Sequence, residues 1–350
     1  MEIVARDTTK KLVTNLLSLF PQPVVRRLLT RDARAVQISQ DNQITVYTKA
    51  LRNRIAPSTA YGASPVTLTK DGGSSFQITP AFWRLAAMLG VNDAKYFASL
   101  TNETDLSKLP SSQLEQIYKI ISENLENFVS STENAKNYSL LSLLSSGKAK
   151  YFAASGNEEG LDYNITTMSA VSASWATAST DILGDIADSV VTFRNNADKV
   201  SPTVAVYDTS ILPYFLKNDD WRAAMLATEA GARALAGLDT SVFQGAIEGL
   251  EPFRFHGMLW VPADSALVNP SGTDVTAFDP AYITFTRPNI GNEYNIQWQP
   301  VADLETPDGS PVTSVHKYDG PPQEYKQYFA ASGVWRVTYP QLIQRRKVIV

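Results

Sequence analysis

The stretch from Pro110 to Gly147 leaves a folding chain the least choice. Leu114, Ile117, Tyr118, Ile121, Leu125, Phe128 and Val129 recur at helical spacing and fall along one stripe of an α-helix. Ser112 with Glu115 three residues on has the form of a capping box, so the helix is predicted to start there. Ala135, Leu140, Leu141, Leu143 and Leu144 continue the apolar series, and Gly147 can close the helix in the left-handed conformation that a Cβ disfavours. A helix of this length is roughly 50 Å long, about three times the mean for globular proteins. Its other face, with Lys119, Glu123, Asn124, Glu126, Asn127, Ser130 and Asn137, is expected to meet solvent or another subunit. Propensity is weakest at Ser130-Ser131-Thr132, where any break would fall. No part of the stretch is apolar over enough residues to cross a membrane.

Composition narrows the classes of function. The 350 residues are 44% hydrophobic and 19% charged, enough for two ordinary domains or one elaborated one. A net charge of −4 argues against general attraction to nucleic acid. There is no cysteine, which excludes disulfides, thiolate metal sites and cysteine nucleophiles. His256 and His316 are the only histidines, too few for a histidine-rich metal site. Leu16 to Phe20 is too short an apolar run for a signal peptide, which points to synthesis in the cytoplasm.

Residues 1–37 are mildly basic and carry an amphipathic series, Leu12, Leu16, Leu17, Leu19 and Phe20, stopped by Pro21 and Pro23. Such a segment either packs on its own domain or reaches over a neighbouring subunit as an arm. From Ile38 to Pro80 the period changes to two: Ile44 and Val46, then Phe76 and Ile78, alternate with polar residues and predict two antiparallel strands. The segment between them, with Pro57, Gly62, Pro65 and the turn Lys70-Asp71-Gly72-Gly73, has too few apolar residues for a core of its own. A connection this long is either functional and projecting or a disordered surface loop.

Phe82, Trp83, Leu85, Met88 and Leu89 connect this hairpin to the long helix. Beyond the helix, Lys150–Ala154 and Leu161–Thr166 predict a short hairpin. Thr180 is the expected N-cap of a second helix with Ile182, Leu183, Ile186, Val190, Val191 and Phe193 on its buried face. Pro202–Tyr207 reads as a buried strand, Asp208 as the cap of a helix to Asn218, and the alanine-rich 221–237 as helical. Strands are predicted at Phe253–Pro262 with a kink at His256-Gly257, and at Ala281–Arg287, Asn295–Pro300, Val312–Lys317, Gly333–Tyr339 and Lys347–Val350. The mixture of helix and strand is α+β.

Motifs of catalysis are sparse. There is no P-loop and no Gly-x-Ser-x-Gly, and Gly231 to Gly237 lacks the strand that a Rossmann turn requires. Ser145-Ser146-Gly147-Lys148 matches Ser-x-x-Lys only at a helix end, and Asp219-Asp220 and Glu158-Glu159 read as helix-start and turn residues.

The order of basic segment, projecting hairpin, long helix, short hairpin and α/β region resembles the major capsid proteins of tailed bacteriophages, in particular the lambda-type capsid protein E family. The resemblance lies in Leu51-Arg52-Asn53-Arg54-Ile55-Ala56-Pro57 through Lys70-Asp71-Gly72 to Phe76-Gln77-Ile78-Thr79-Pro80-Ala81-Phe82. It continues from Gly147-Lys148 through Trp175, Asp181-Ile182 and Ile186 to Pro202–Tyr207, and then in the plan of Val315-His316-Lys317 to Val350. It implies the Hong Kong 97-type capsid fold, with an N-terminal arm over 1–37, an extended loop over 38–80 and a peripheral domain over 81–179 containing a spine helix at 112–146. An axial domain over 180–300 and C-terminal strands over 301–350 returning to the peripheral domain complete it.

The function so implied is a major capsid protein that self-assembles into pentamers and hexamers of an icosahedral shell around double-stranded DNA, without cofactor, metal or catalytic residues and without a membrane. Inter-subunit contacts are expected from Arg52, Arg54, Ile55, Tyr61, Val66, Leu68, Lys70 and Asp71 of the loop, and from Leu12, Leu16, Phe20, Arg26 and Arg27 of the arm. Expected partners are a separate scaffold protein, a portal, a decoration protein in some particles, and packaged DNA touched non-specifically. The arm is expected to stay uncleaved, and the location to be the virion after assembly in the host cytoplasm. Lys49 and Lys70 are the loop lysines available to the cross-linking known in one branch of this fold. An encapsulin-like cargo shell, a tail-tube or decoration protein, and an α/β enzyme with a carboxylate-only site are the rival readings.

Overall fold

The computed structural model describes residues 2–4, 13–15, 17, 22–37, 43–49, 75–90, 111–153, 157–227, 252–263, 266–303, 306, 308–318 and 324–350. Its main helices are α1 (Val24–Leu29), α2 (Ser111–Ser146), α3 (Ile182–Asn196), α4 (Leu212–Lys217) and α5 (Asp219–Leu226). In chain order the strands are β1 (Glu2–Val4), β2 (Thr30–Asp32), β3 (Val36–Gln37), β4 (Ile44–Tyr47), β5 (Ser75–Ile78), β6 (Ala81–Met88), β7 (Lys148–Phe152), β8 (Glu158–Asp162), β9 (Thr166–Thr167), β10 (Val204–Asp208), β11 (Phe253–Phe255), β12 (Met258–Ala263), β13 (Ala266–Val268), β14 (Asp274–Thr276), β15 (Tyr282–Thr286), β16 (Asn289–Ile290), β17 (Glu293–Tyr294), β18 (Ile296–Ala302), β19 (Val312–Tyr318), β20 (Glu324–Val337) and β21 (Ile343–Lys347).

The apolar stripe produces α2 as one element of 36 residues, about 54 Å long. It begins at Ser111, so Ser112 sits inside the first turn and not at the cap. It also runs unbroken through Ser130-Ser131-Thr132, where the Thr132 hydroxyl donates to the Phe128 carbonyl at 2.9 Å. Gly147 then takes φ +82° and donates its N–H to the Leu143 carbonyl at 2.9 Å. Up to Ser131 the helix is amphipathic, with Ile117, Ile121, Leu125 and Val129 buried and Lys119, Glu123, Glu126 and Asn127 exposed. From Lys136 to Ser145 every side chain is buried, including Asn137, which was expected on the solvated face. The cause is enclosure from both sides, because the Lys136 carbonyl accepts the Trp335 indole N–H at 3.0 Å and the Leu144 carbonyl accepts the Thr284 hydroxyl at 2.7 Å.

Two sheets flank that half of α2. One has seven strands in the order β1-β19-β20-β18-β2, with β3 also on β18 and β6 on the opposite flank of β20. The other has six in the order β11-β12-β10-β15-β21-β9. β10 is its buried centre, all five residues enclosed, parallel to β12 and antiparallel to β15. Beneath the second sheet lies an aromatic cluster in which Phe215 stacks on Trp221 at 5.0 Å and meets Trp260 edge-on at 5.4 Å.

Several local expectations shift. Residues 81–88 are not a bare connector but a strand paired along β20, from Ala81 opposite Gly333 to Met88 opposite Lys326. Asp181, not Thr180, caps α3: its carboxylate accepts the Gly184 N–H at 2.8 Å, while the Thr180 hydroxyl donates to the Ser174 carbonyl. The His256-Gly257 kink is a full reversal, with φ +49° and +74°, the two-residue turn that joins β11 to β12. The second strand of the short hairpin is Glu158–Asp162, ahead of the expected 161–166. The last strand is Ile343–Lys347 and pairs with β15, so the chain ends beside the six-stranded sheet and not the seven-stranded one. α5 ends at Leu226, and 228–237 lies outside the described residues.

Candidate assembly surfaces

The loop residues Arg52, Arg54, Ile55, Tyr61, Val66, Leu68, Lys70 and Asp71 lie outside the described residues, as do Leu12, Leu16 and Phe20 of the N-terminal segment. The root of the loop is described, and it is firmly held. Strands β4 and β5 pair with Ile44 opposite Ile78 and Val46 opposite Phe76, the register that the period-two pattern predicts. Ile44, Val46 and Ile78 are buried in the main core, whereas Tyr47 stands 60% exposed on the other face. Just beyond, the Lys49 N–H donates to the Thr338 carbonyl at 2.6 Å, and its ammonium donates to both oxygens of Glu293 at 2.8 Å. Tyr339 adds a third donor to the same carboxylate at 3.1 Å. The Lys49 bond is the chief cause that holds the Glu293 carboxyl below its ordinary range, and Glu293 raises Lys49 in return. Lys49 is therefore held as a protonated anchor on Glu293. The pair is half exposed, so it fixes position more than it adds stability.

At the N-terminal segment, Val13 packs against Leu125, Phe128, Val129 and Phe329 of the same subunit. Pro23 precedes α1, whose Val25 and Leu29 are buried. Arg27 is exposed, whereas Arg26 turns inward: its guanidinium bonds the Glu133 carboxylate of α2, which also accepts from Lys136 at 2.6 Å. Nothing in the local pattern signals this contact, because Arg26 and Glu133 are 107 residues apart. The same holds for Arg84 of β6, which donates to Asp303 at 2.7 Å across 219 residues.

A groove of about 490 Å³ opens between α2, β6 and the β13–β14 hairpin, lined by Phe82, Leu85, Tyr138, Phe152, Leu267 and Val268 among others. Its walls hold no carboxylate or histidine among the described residues, which gives a carboxylate-only active site no place there. Ser145 and Lys148 face different partners: the Ser145 hydroxyl accepts the Asp279 N–H at 2.8 Å, and Lys148 lies 3.4 Å from Asp162. His256 occupies the β11–β12 turn, and His316 lies 3.0 Å from the Ser314 hydroxyl. Among the described residues, no group of three His, Asp or Glu could hold a metal ion, and no helix is long and apolar enough to cross a membrane.

The sequence profile of a family described as phage major capsid protein E matches residues 19–305. No curated protein sequence matches the chain. Among solved structures, a candidate prophage capsid protein from E. coli CFT073 superimposes with a TM-score of 0.61 at 11% identity, covering 99% of each chain. A phage-related protein from Bordetella bronchiseptica RB50 gives a TM-score of 0.53 at 9% identity, over 99% of this chain and 98% of that one. At such identities the likeness is one of fold.

Proposed function

The chain belongs to the phage major capsid protein E family, and from that membership we propose how its parts build the shell. It is a subunit of a tailed-phage capsid with the Hong Kong 97-type fold, a structural protein of the virion and not an enzyme, and it assembles with copies of itself. In our reading residues 180–300, with the six-stranded sheet, lie nearest the capsomer axis and make pentamers and hexamers. α2 and the seven-stranded sheet form the periphery, residues 38–80 extend over a neighbouring subunit, and residues 1–37 form an arm.

The observation that carries this reading is the contrast at the root of the loop. β4 and β5 are pinned into the core, yet Ile55, Tyr61, Val66 and Leu68 beyond them belong to a segment with too little apolar content to bury itself. A surface of a second subunit supplies what is missing, at about 25 cal/mol per Å² of apolar area covered. Arg52, Arg54, Lys70 and Asp71 of the loop, together with Leu12, Leu16, Phe20 and the exposed Arg27, would complete that lap. The net charge of −4 suits a shell wall that touches packaged double-stranded DNA without adhering to it. A separate scaffold, a portal and optional decoration proteins are the further partners, with assembly in the host cytoplasm.

The test is the native mass of the purified chain, expressed with and without a candidate scaffold. Closed particles in the megadalton range are expected. A stable monomer or small oligomer under both conditions would overturn the reading.

A further inference from the structure

Two basic side chains share one carboxylate where α1 meets α2. Arg26, Glu133 and Lys136 are 4%, 5% and 6% exposed. Arg26 bonds one oxygen of Glu133, and Lys136 donates to the other at 2.6 Å. Tryptophan rings close the site, Trp335 of β20 at 6.0 Å from the Arg26 guanidinium and Trp298 of β18 at 5.1 Å from Lys136 Nζ. Among the described residues Asp32 of β2, which is exposed, is the further charge that acts on Lys136, and it contributes least.

With α1 docked, Arg26 alone neutralises Glu133, and a second buried cation is in excess. With α1 away, a bare buried carboxylate would cost several kcal/mol, and Lys136 is the residue that prevents it. We propose that the triad is a proton-linked latch for the N-terminal segment: α1 docks as Arg26 takes Glu133 and Lys136 releases its proton to solvent, and α1 leaves as Lys136 regains that proton. Charge balances on both sides. The docked site holds Arg26 and Glu133 with a neutral Lys136; the open site holds Glu133 with a protonated Lys136, and Arg26 is in water.

Burial chiefly, and Arg26 next among the lowering causes, push Lys136 below the ordinary lysine range, against the opposing pull of Glu133 and Asp32. The docked state therefore binds fewer protons than the open one. Docking strengthens as pH rises through the docked pKa of Lys136 and levels off above the value it has when Arg26 is absent. The inference goes beyond the shell reading and concerns a single subunit.

The experiment is amide hydrogen exchange on the full chain from about pH 6 to about pH 10, the span below the ordinary lysine value. Residues 24–32 are followed after correction for intrinsic rates, with residues 138–145 of α2 as internal reference. In the wild type, protection of 24–32 relative to the reference should climb with pH, by at most about tenfold per unit for one proton. Lys136→Met should remove the slope and keep the protection, and Lys136→Arg, charged throughout, should remove the slope as well. Glu133→Gln should lower protection of 24–32 at every pH. A flat wild-type profile, or the same slope in both Lys136 variants, would overturn the latch.

Discussion

Gly333 is a position where a missing Cβ is used. It lies on β20 opposite both Ala81 and Pro300, and a Cβ built there would come within 2.2 Å of the Trp298 ring. That ring stacks on Trp83 at 5.7 Å and meets Trp335 at 5.2 Å, so it has no free side to which it can retreat. Gly333→Ala is expected to destabilise the subunit by about 1–3 kcal/mol, the usual range for overpacking. A urea denaturation series on the purified chain measures it; an unchanged midpoint would show that the tryptophans have room. The glycine is visible in the sequence, but its reason is not, since the crowding comes from a residue 35 positions upstream on another strand.

At the scale of elements, α2 was the most legible part of the chain. Its apolar stripe places the helix to within a residue at either end, and the alternation at Ile44, Val46, Phe76 and Ile78 gives the register of β4 and β5. What the pattern hides is the burial of 136–145 all round. Asn137 reads as part of a wet face, yet it is enclosed with Glu133, Lys136, Ser139 and Ser142 because two sheets meet there, and that meeting is encoded far away in sequence. β6 was missed for a related reason. Ala81-Phe-Trp-Arg-Leu-Ala-Ala-Met88 does not alternate cleanly, and its partner strand lies more than two hundred residues on. Of the proposed assembly surface, composition marks only the loop and the arm as segments, whereas the inward turn of Arg26 depends on a tertiary contact. Continuity of α2 through Ser130-Ser131-Thr132 is itself testable. Ser131→Pro should cost about 3 kcal/mol by removing a backbone donor in an unbroken helix. Thermal unfolding followed by far-UV circular dichroism reads this, and a shift near zero would mean that the helix is already interrupted there.

For the whole molecule, the proposed role of the loop can be tested apart from folding because its root is pinned. Replacing residues 51–74 with a short Gly-Ser turn leaves β4 and β5 paired and Lys49 on Glu293, so the subunit should unfold at nearly the wild-type temperature. The same variant should fail to form particles on a sizing column. Assembly at wild-type yield would show that the loop is dispensable, and collapse of the thermal midpoint would show that it belongs to the subunit core. One further consequence follows from how α2 is tied at several points along its length. The Gln327 amide reaches the Ile121 carbonyl at 3.1 Å and the Trp335 indole holds Lys136 from one sheet, while Thr284, Asp279 and Arg345 hold Leu144 and Ser145 from the other. In the DNA-filled shell proposed above, the contents would push outward on a closed wall, and the wall would answer with tension in its own plane. In each subunit that pull would travel from sheet to sheet along a single rod of hydrogen-bonded peptide, and the bonds at Leu144 and Ser145 would be the rivets that carry it.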